Sequence, residues 1–559
     1  MSTSPGRADS AGGAPVGMPA RLWEAAKHGA RGTIPQWVRA APDAGATAPP
    51  RIGQIARRAA QVAAAAGIVG GGIGIGIGGT EAASRPVDLA HSGDGDPGAD
   101  HTSAGPGGGA FAADHISTDP GTGSPVSSDS GHAPGPPGST SEGGVTLHTS
   151  GDGGHLATGG GSHIVIGGAT VLDSPILRRP HLLRSMVAFW QNHPSLSYLF
   201  SGMYVGPTSQ YPRVDEARLD TLYELEVAFS QLPSTDCPPF IVDGLFRNLL
   251  ADITGNTHRA EFCVDKLFPP PGRGLQLGLL ELRAFEMPPH VRMNLLQMLL
   301  VRALVSMFWK TPFDGSLIRW GAALHDRFML PEFVKHDLFE VLARLRRSGF
   351  DFEEQWFTAQ VEFRFPKIGS IAVDGIELEL RHALEPWNVL AEESVSGSTV
   401  RSVDSSLERI QVKVSGLTSE ARYAVACNGR RVPLQSTGEV GAAVAGVRFR
   451  ARKLSSTLHP TVPVHAPLVF DLIDCWQSCS IGQCTYHAAP SDGHLYTARP
   501  GNSAEAEGRR RERFQVASPA PTPMAAPEDE TNPIFPLTLD LRIPPPTRGT
   551  QAEFPEVVP

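Results

Sequence analysis

Cysteine is scarce in this chain: six residues among 559, the first at position 237. That excludes a disulfide framework of the kind that staples small secreted domains, and a reducing, cytoplasmic setting is expected. Basic charge is not in excess either. The net charge of −9 argues against general nucleic-acid binding, which requires a basic surface. A strongly apolar membrane-spanning run is also missing. The uncharged stretch 59–79 is mostly Ala and Gly; Arg57-Arg58 precede it, but the rest of a twin-arginine export pattern does not follow. No membrane partner is expected. P-loop and G-x-S-x-G signatures are absent, which removes the enzyme classes built on them.

What is abundant is unevenly placed. Gly (61) and Pro (49) gather before residue 160 and in the last 50 residues. Residues 1–154 are low in complexity and bury too little apolar area to offset the entropy of ordering, so disorder is expected there, with one short helical patch over 20–38. A Pro-rich tail over 515–559 is expected to be disordered as well. Between them lies an ordinary globular mixture.

The period of its apolar residues changes along the chain. Over 155–350 the pattern is α+β: a strand near Ser162 to Gly168, then helices over 180–193, 215–232, 239–253, 289–309 and 331–347, the last two with Pro near their starts. Over 351–514 the period becomes two, in Val361 to Phe365, Ile376 to Leu380, Ile410 to Val414 and Leu468 to Leu472. Asn428-Gly429 marks a hairpin. A β-sandwich-like module is expected there.

Two apolar segments carry charges: Thr257 to Cys263 (THRAEFC) and Leu279 to Glu286 (LLELRAFE). In strands, side chains alternate between faces, so Arg259 shares a side with Glu261, and Glu281 with Arg283. Buried charges are costly unless they are paired or bound to a metal or phosphate. Two readings stay open. One is an internal salt-bridge set. The other is a mixed-charge face holding Mg²⁺ and phosphate oxygens on its carboxylates and arginines.

Other constellations are weaker. The glycines before Ser162-His163 allow close approach of a ligand, or form a turn before a strand. The segment Gly206 to Arg218, turning into a helix, could hold an anion or be a capped helix start. Cys475, Cys479, Cys484 and His487 lack the C-x-x-C pair of a zinc site. His325-Asp326-Arg327, His459 and His465 read as structural.

Long phrases between about 155 and 514 resemble a bacterial family of amidoligase-like proteins. They are Thr158 to His163 (TGGGSH), His193 to Gly202 (HPSLSYLFSG), Gly206 to Gln210 (GPTSQ), Arg213 to Arg218 (RVDEAR), Gly255 to Cys263 (GNTHRAEFC), Leu280 to Pro289 (LELRAFEMPP), Leu324 to Leu330 (LHDRFML) and Cys484 to His487 (CTYH). The resemblance implies a partial glutamine-synthetase-like sheet with helices, followed by the β-rich module. It implies an ATP- and Mg²⁺-dependent carboxylate–amine ligase acting on peptide or amino-acid carboxylates and amines through an acyl phosphate. On that resemblance Glu261 and Glu281 would bind metal, and Arg213, Arg259 and Arg283 would contact phosphate or substrate carboxylate. Gly160 and Gly161 would lie at the nucleotide, and His163 would lie near the metal or the nucleotide.

Three departures qualify the resemblance. Members commonly carry an N-terminal transglutaminase-like domain, whose nucleophilic cysteine has no counterpart before Cys237. The first half of the ligase-like sheet would precede Thr158, where Gly/Ser/Pro-rich sequence stands instead. Ser162 replaces the usual Asn. A weakened or lost activity is therefore expected, with complementation by a separate transglutaminase-like or N-terminal-half protein as one outcome. The alternative is a non-catalytic protein that binds a peptide or partner through its β-rich module.

Overall fold

The computed structural model describes residues 161–545 apart from short internal stretches (203, 208, 219–220, 234–236, 273, 396–397, 420, 455–456, 489–499, 519–522 and 531), together with the backbone of three strands before them. Those strands, β1 (Thr140–Glu142), β2 (Val145–Thr149) and β3 (His155–Ala157), form an antiparallel sheet of their own. The helix expected over 20–38, with Gly160 and the tail beyond 545, lies outside the described residues. The architecture is α+β.

Helical apolar spacing builds the first half around one core. A run of helices comes first: α1 (Pro175–Arg178), α2 (His181–Asn192), α3 (Ser195–Tyr198), α4 (Val214–Ala217), α5 (Thr221–Ser230) and α6 (Pro239–Phe246). The helix expected over 215–232 is broken at Arg218, whose backbone is extended. Next come α7 (Val291–Lys310), α8 (Ala323–Phe328), α9 (Pro331–Arg347) and α10 (Thr358–Arg364). The His290 ring caps α7 by accepting from the Arg292 N–H at 3.2 Å. Pro331 occupies the first turn of α9, and Arg344, Arg346 and Arg347 complement the negative end of its dipole. Helix α7 is long and apolar enough to cross a membrane, but 67% of its most apolar stretch is buried inside the protein; it is the central core helix.

Three short strands cross this half: β4 (Ile164–Ile166), β5 (Phe262–Cys263) and β6 (Leu280–Leu282), in the order β4-β6-β5 with both pairs antiparallel. Alternation gives their small sheet two characters. Ile164, Ile166, Phe262, Leu280 and Leu282 enter the helical core, whereas Glu281 and Arg283 lie on the other face. Arg259 lies in the turn before β5, not in a strand, because only Phe262 and Cys263 pair regularly.

The second half begins later than its alternating pattern implies. Val361 to Phe365 was expected as a strand but ends α10. Phe357, Val361 and Phe365 are spaced by four, and all three pack on the first core; over five residues that spacing is indistinguishable from alternation. A two-sheet sandwich follows. One sheet has the order β14 (Gln435–Ser436), β15 (Ala443–Arg450), β11 (Leu407–Ser415), β8 (Ile376–Ala383), β7 (Lys367–Val373). The other has the order β13 (Arg430–Arg431), β12 (Tyr423–Cys427), β16 (Leu468–Asp474), β17 (Cys479–Tyr486), β18 (Phe514–Ala517). A separate ribbon pairs β9 (Val389–Val395) with β10 (Ser398–Val403), and β19 (Thr538–Asp540) adds to β15 in parallel. Order thus continues through Pro-rich sequence after 515, with the helix α11 (Ser503–Glu512) just before it.

The expected Asn428-Gly429 hairpin joins β12 to β13, both residues at positive φ (49° and 77°). Ile376, Leu378, Leu380, Ile410, Val412 and Val414 fill the space between the sheets. The outer face of β11 docks on the first half. Lys413 meets Glu332 at 2.8 Å, and Gln411 accepts from the Glu332 N–H at 2.9 Å. Asp326 anchors the last strand by accepting from the Leu537 N–H at 3.0 Å and the Thr538 hydroxyl at 2.7 Å. The structural reading of His325-Asp326-Arg327 agrees with these contacts.

Candidate functional site

Glu281 occupies the middle of β6, opposite Val165 on β4 and Cys263 on β5. Its side chain is buried, yet both carboxylate oxygens are engaged. His163, two residues before its cross-strand neighbour Val165, places Nδ1 2.8 Å from Oε1. Lys266 donates to Oε2 at 3.2 Å, and Arg283 donates to Oε1 at 3.5 Å. Burial raises the energy of the ionised carboxyl, but the His163 hydrogen bond and the Arg283 and Lys266 charges outweigh it and hold the pKa down at about 2. Glu281 is therefore an ionised anchor at neutral pH.

Around that anchor the face is cationic. Arg283 and Lys266 bring two positive charges to one carboxylate. The Arg283 guanidinium also lies over the Tyr211 ring, 5.6 Å from its centroid, and Nη1 donates to His258 Nε2 at 3.0 Å. Its buried Nε has no hydrogen-bond partner. The edge of the His163 ring meets Tyr211 at 5.8 Å, and His163 Nε2 is likewise buried without a partner. A carboxylate accepts only, so the Glu281 contact puts the neutral ring's proton on Nδ1 and leaves the lone pair on Nε2. Gly161 fits against this ring because it has no Cβ: one built there would stand 2.6 Å from Nε2. Ser162 accepts from the Asn294 side chain and donates its N–H to the Phe285 carbonyl at 2.8 Å.

Glu261 serves a different network. The β5–β6 ladder continues to its carbonyl, which accepts from the Arg283 N–H at 2.9 Å. Its carboxyl, however, is bonded to Ser197 and sits beside Arg213, Asp215 and Glu216. Burial dominates and pushes it up to about 7, with Arg213 and Ser197 opposing. Arg213 itself is fully engaged. Nε and Nη2 grip Asp215 at 2.9 Å each, Nη2 also reaches the Gln191 carbonyl, and Nη1 donates to the Trp190 carbonyl and the Ser197 hydroxyl. All five guanidinium N–H groups are satisfied within the protein. Arg259 points elsewhere again, to Asp252 at 3.5 Å and to Glu392 of the β9–β10 ribbon at 3.2 Å.

The expected site residues therefore divide. His163, Glu281 and Arg283 come together, with Gly161 against the histidine. Glu261 and Arg213 form a second buried group, and Arg259 ties the ribbon to the turn before β5. No described cluster of three metal-ligating groups contains both Glu261 and Glu281. One cluster does lie on the site face, His258, Cys263 and Asp265, but its chemistry resists a metal. Arg283 donates to His258 Nε2, which puts the histidine proton on Nδ1, 3.4 Å from Asp265. Burial pushes the Cys263 thiol up to about 12, and Asp265 already accepts from Arg247 at 2.8 Å and Thr257 at 2.6 Å.

Lys266 escaped sequence reasoning. It stands in the turn after β5, where alternation assigns no face. Arg364 escaped it too, being read as part of a strand. It is half-buried near Glu286, desolvation holds it down at about 10, and it donates to the Tyr198 carbonyl at 3.0 Å.

Comparison with known proteins agrees with the resemblance of the sequence phrases. The model of the family described as "Putative amidoligase enzyme (DUF2126)" matches residues 145–542, well over half of the chain and both of its halves. No curated protein and no solved structure matches. The matched region spans the small charged sheet, the helical core and the sandwich, and the chain belongs to this amidoligase family.

Proposed function

We propose that the chain joins a carboxylate to an amine at the expense of ATP. The observation that carries this reading is the cationic face around Glu281. Arg283 and Lys266 both donate to Glu281, and Arg283 Nε is a buried donor without a partner. Such a donor favours a ligand that supplies an anionic oxygen, as a substrate carboxylate or a phosphoryl group does. In the reaction, a carboxylate oxygen attacks the γ-phosphorus and the bond to ADP breaks, giving an acyl phosphate. The amine nitrogen then attacks the carbonyl carbon, the C–O bond breaks and phosphate leaves. Arg283 and Lys266 hold the anionic oxygens through both steps.

Both Glu281 oxygens are engaged by His163, Lys266 and Arg283, and Glu261 bonds to Ser197 beside Arg213, so the proposal assigns neither glutamate a step. Magnesium enters the proposal as the ion that nucleotide phosphates carry with them, and no step is routed through it.

The test uses the full chain with Mg-ATP, hydroxylamine and a panel of acidic amino acids and dipeptides, each carboxylate labelled with ¹⁸O. Hydroxamate, ADP and ¹⁸O-phosphate in equal amounts are expected. ADP release independent of the carboxylate, or phosphate without label, would overturn the acyl-phosphate route. If no carboxylate in the panel yields hydroxamate, the non-catalytic partner-binding reading takes its place.

A further inference from the structure

We propose that Glu332, His336 and Glu439 form a binding site for one zinc ion, which fastens the helical half of the protein to the sandwich. The site lies outside the charged sheet and is independent of the ligase reaction. Glu332 and His336 stand one turn apart on α9, so their side chains share a face of that helix. Glu439 comes from the other half, in the turn between β14 and β15. One ligand atom from each of the three lies within 4.8 Å of the other two.

Two other described clusters bring three such groups together, and in both the atoms are committed elsewhere. The hydrogen bonds and the protonated thiol of His258, Cys263 and Asp265 resist a metal. In the cluster of His193, Asp337 and Glu340, His193 Nδ1 lies 2.8 Å from one Asp337 oxygen, and the Ser195 N–H donates to the other at 2.8 Å. The Glu332 cluster keeps its atoms open. Lys413 donates to Glu332 Oε1 at 2.8 Å, but no described residue donates to Oε2, although the side chain is only 5% exposed. The Glu439 carboxylate faces His336 Nε2 at 4.0 Å and Lys413 Nζ at 3.9 Å, both too long for a hydrogen bond. It closes on neither of them.

These separations suit a bridging ion better than direct pairing. Zinc bonds of about 2.0–2.2 Å set tetrahedral ligand atoms about 3.4 Å apart. His336 Nε2 stands 3.4 Å from the Glu332 carboxylate and 4.0 Å from that of Glu439, and a small movement of the exposed Glu439 side chain closes the wider gap. With the imidazole neutral, as a metal ligand must be, two carboxylates face one ammonium, and a negative charge is left to attract the ion. One imidazole nitrogen with two carboxylate oxygens is a donor set for zinc, whereas magnesium and calcium take oxygen ligands. Lys413 holds the Glu332 carboxylate through Oε1 and leaves Oε2 for the ion. An ion held there joins α9 to the β14–β15 turn and stabilises the docked halves, as any ligand of the folded state does.

The experiment titrates zinc chloride by calorimetry into the full chain, stripped with EDTA and dialysed, at neutral pH, for wild type, His336→Asn and Glu439→Gln. Wild type is expected to take up one zinc ion that both variants bind at least about tenfold more weakly, the loss that removing even an outer-shell partner causes. Both side chains reach the surface, at 34% and 59% exposure, so neither substitution threatens the fold. Equal binding by all three proteins would assign the zinc to other histidines or cysteines and overturn the site. So would the absence of saturable binding to wild type. Thermal melts supply a second readout. Zinc is expected to raise the midpoint of wild type above its value in EDTA and to leave both variants unmoved. A zinc-loaded wild type with an unmoved midpoint would overturn the fastening of the two halves, and an equal shift with magnesium chloride would overturn the choice of ion.

Discussion

Glu281 stands in the middle of β6 and Glu261 just before the neighbouring β5, two residues out of register, yet their carboxyl groups bond to different partners. Glu281 is held by His163, Lys266 and Arg283, while Glu261 is bonded to Ser197 beside Arg213. The first pairing leaves an ionised carboxylate and the second a carboxyl that keeps its proton close to neutrality. Two glutamates that look equivalent in sequence therefore do different work.

Removing the first should be costly. Glu281→Ala leaves the Arg283 guanidinium buried beside a half-exposed Lys266 without the carboxylate to which both donate. A loss of about 3 kcal/mol or more is expected, read as a lower urea midpoint with an unchanged slope. Glu281→Gln keeps the shape and one acceptor, and should cost less. Equal stability of Glu281→Ala and wild type would mean that the anchor is not closed in solution.

The second glutamate should give stability an opposite dependence on pH. Its folded pKa is raised from 4.5 to about 7, so between those values the unfolded chain loses a proton that the folded chain keeps. Stability from this group therefore falls as pH rises through that window and levels off above it. Glu281 works the other way: its contribution is present above 4.5 and is lost as pH falls toward about 2. Glu261→Gln should flatten the fall between pH 5 and pH 8 and gain up to about 3 kcal/mol at pH 8. Parallel thermal melts of variant and wild type across that range would contradict the buried, protonated carboxyl.

Gly161 offers a test of the histidine's setting that leaves every charge in place. The Cβ of Gly161→Ala would meet His163 at 2.6 Å, so ring or backbone must shift. Overpacking of this kind costs about 1–3 kcal/mol. Thermal melts of Gly161→Ala should show a lower midpoint than wild type, because the shift disturbs the His163–Glu281 hydrogen bond of 2.8 Å. An unchanged midpoint would show that the glycine is not holding the ring.

Much of this was legible in the sequence, for reasons that also mark where legibility stopped. Alternation in a buried strand placed Glu281 and Arg283 on one face, and helix signals with early prolines located α7 and α9. Glu261 was misleading because regular pairing in β5 covers only Phe262 and Cys263, so alternation does not govern its side chain. Lys266 reaches Glu281 from a turn, and turns carry no periodicity. The hairpin at Asp374-Gly375 has the same chemistry as Asn428-Gly429, both residues at positive φ (51° and 82°), but it lies between strands whose beginning was blurred by Val361 to Phe365. The five contacts of Arg213 bring together Trp190, Gln191, Ser197 and Asp215, separated by up to 25 positions, and no local pattern announces them.

Arg213 carries the last prediction. Because the guanidinium satisfies two backbone carbonyls, a hydroxyl and a carboxylate in two places, lysine cannot replace it: an ammonium has three donors and no fork. Arg213→Lys should lose about 3–5 kcal/mol, since Asp215 and the Gln191 and Trp190 carbonyls are left partly unpaired in the interior. Asp215→Asn should cost less, since an amide oxygen still accepts one N–H. In whatever Arg213→Lys protein folds, the ATP concentration giving half-maximal hydroxamate formation should match wild type, because no N–H of Arg213 is turned toward a ligand. A raised ATP requirement without loss of stability would be the opposite result, and would return Arg213 to the phosphate-binding role that the resemblance implies.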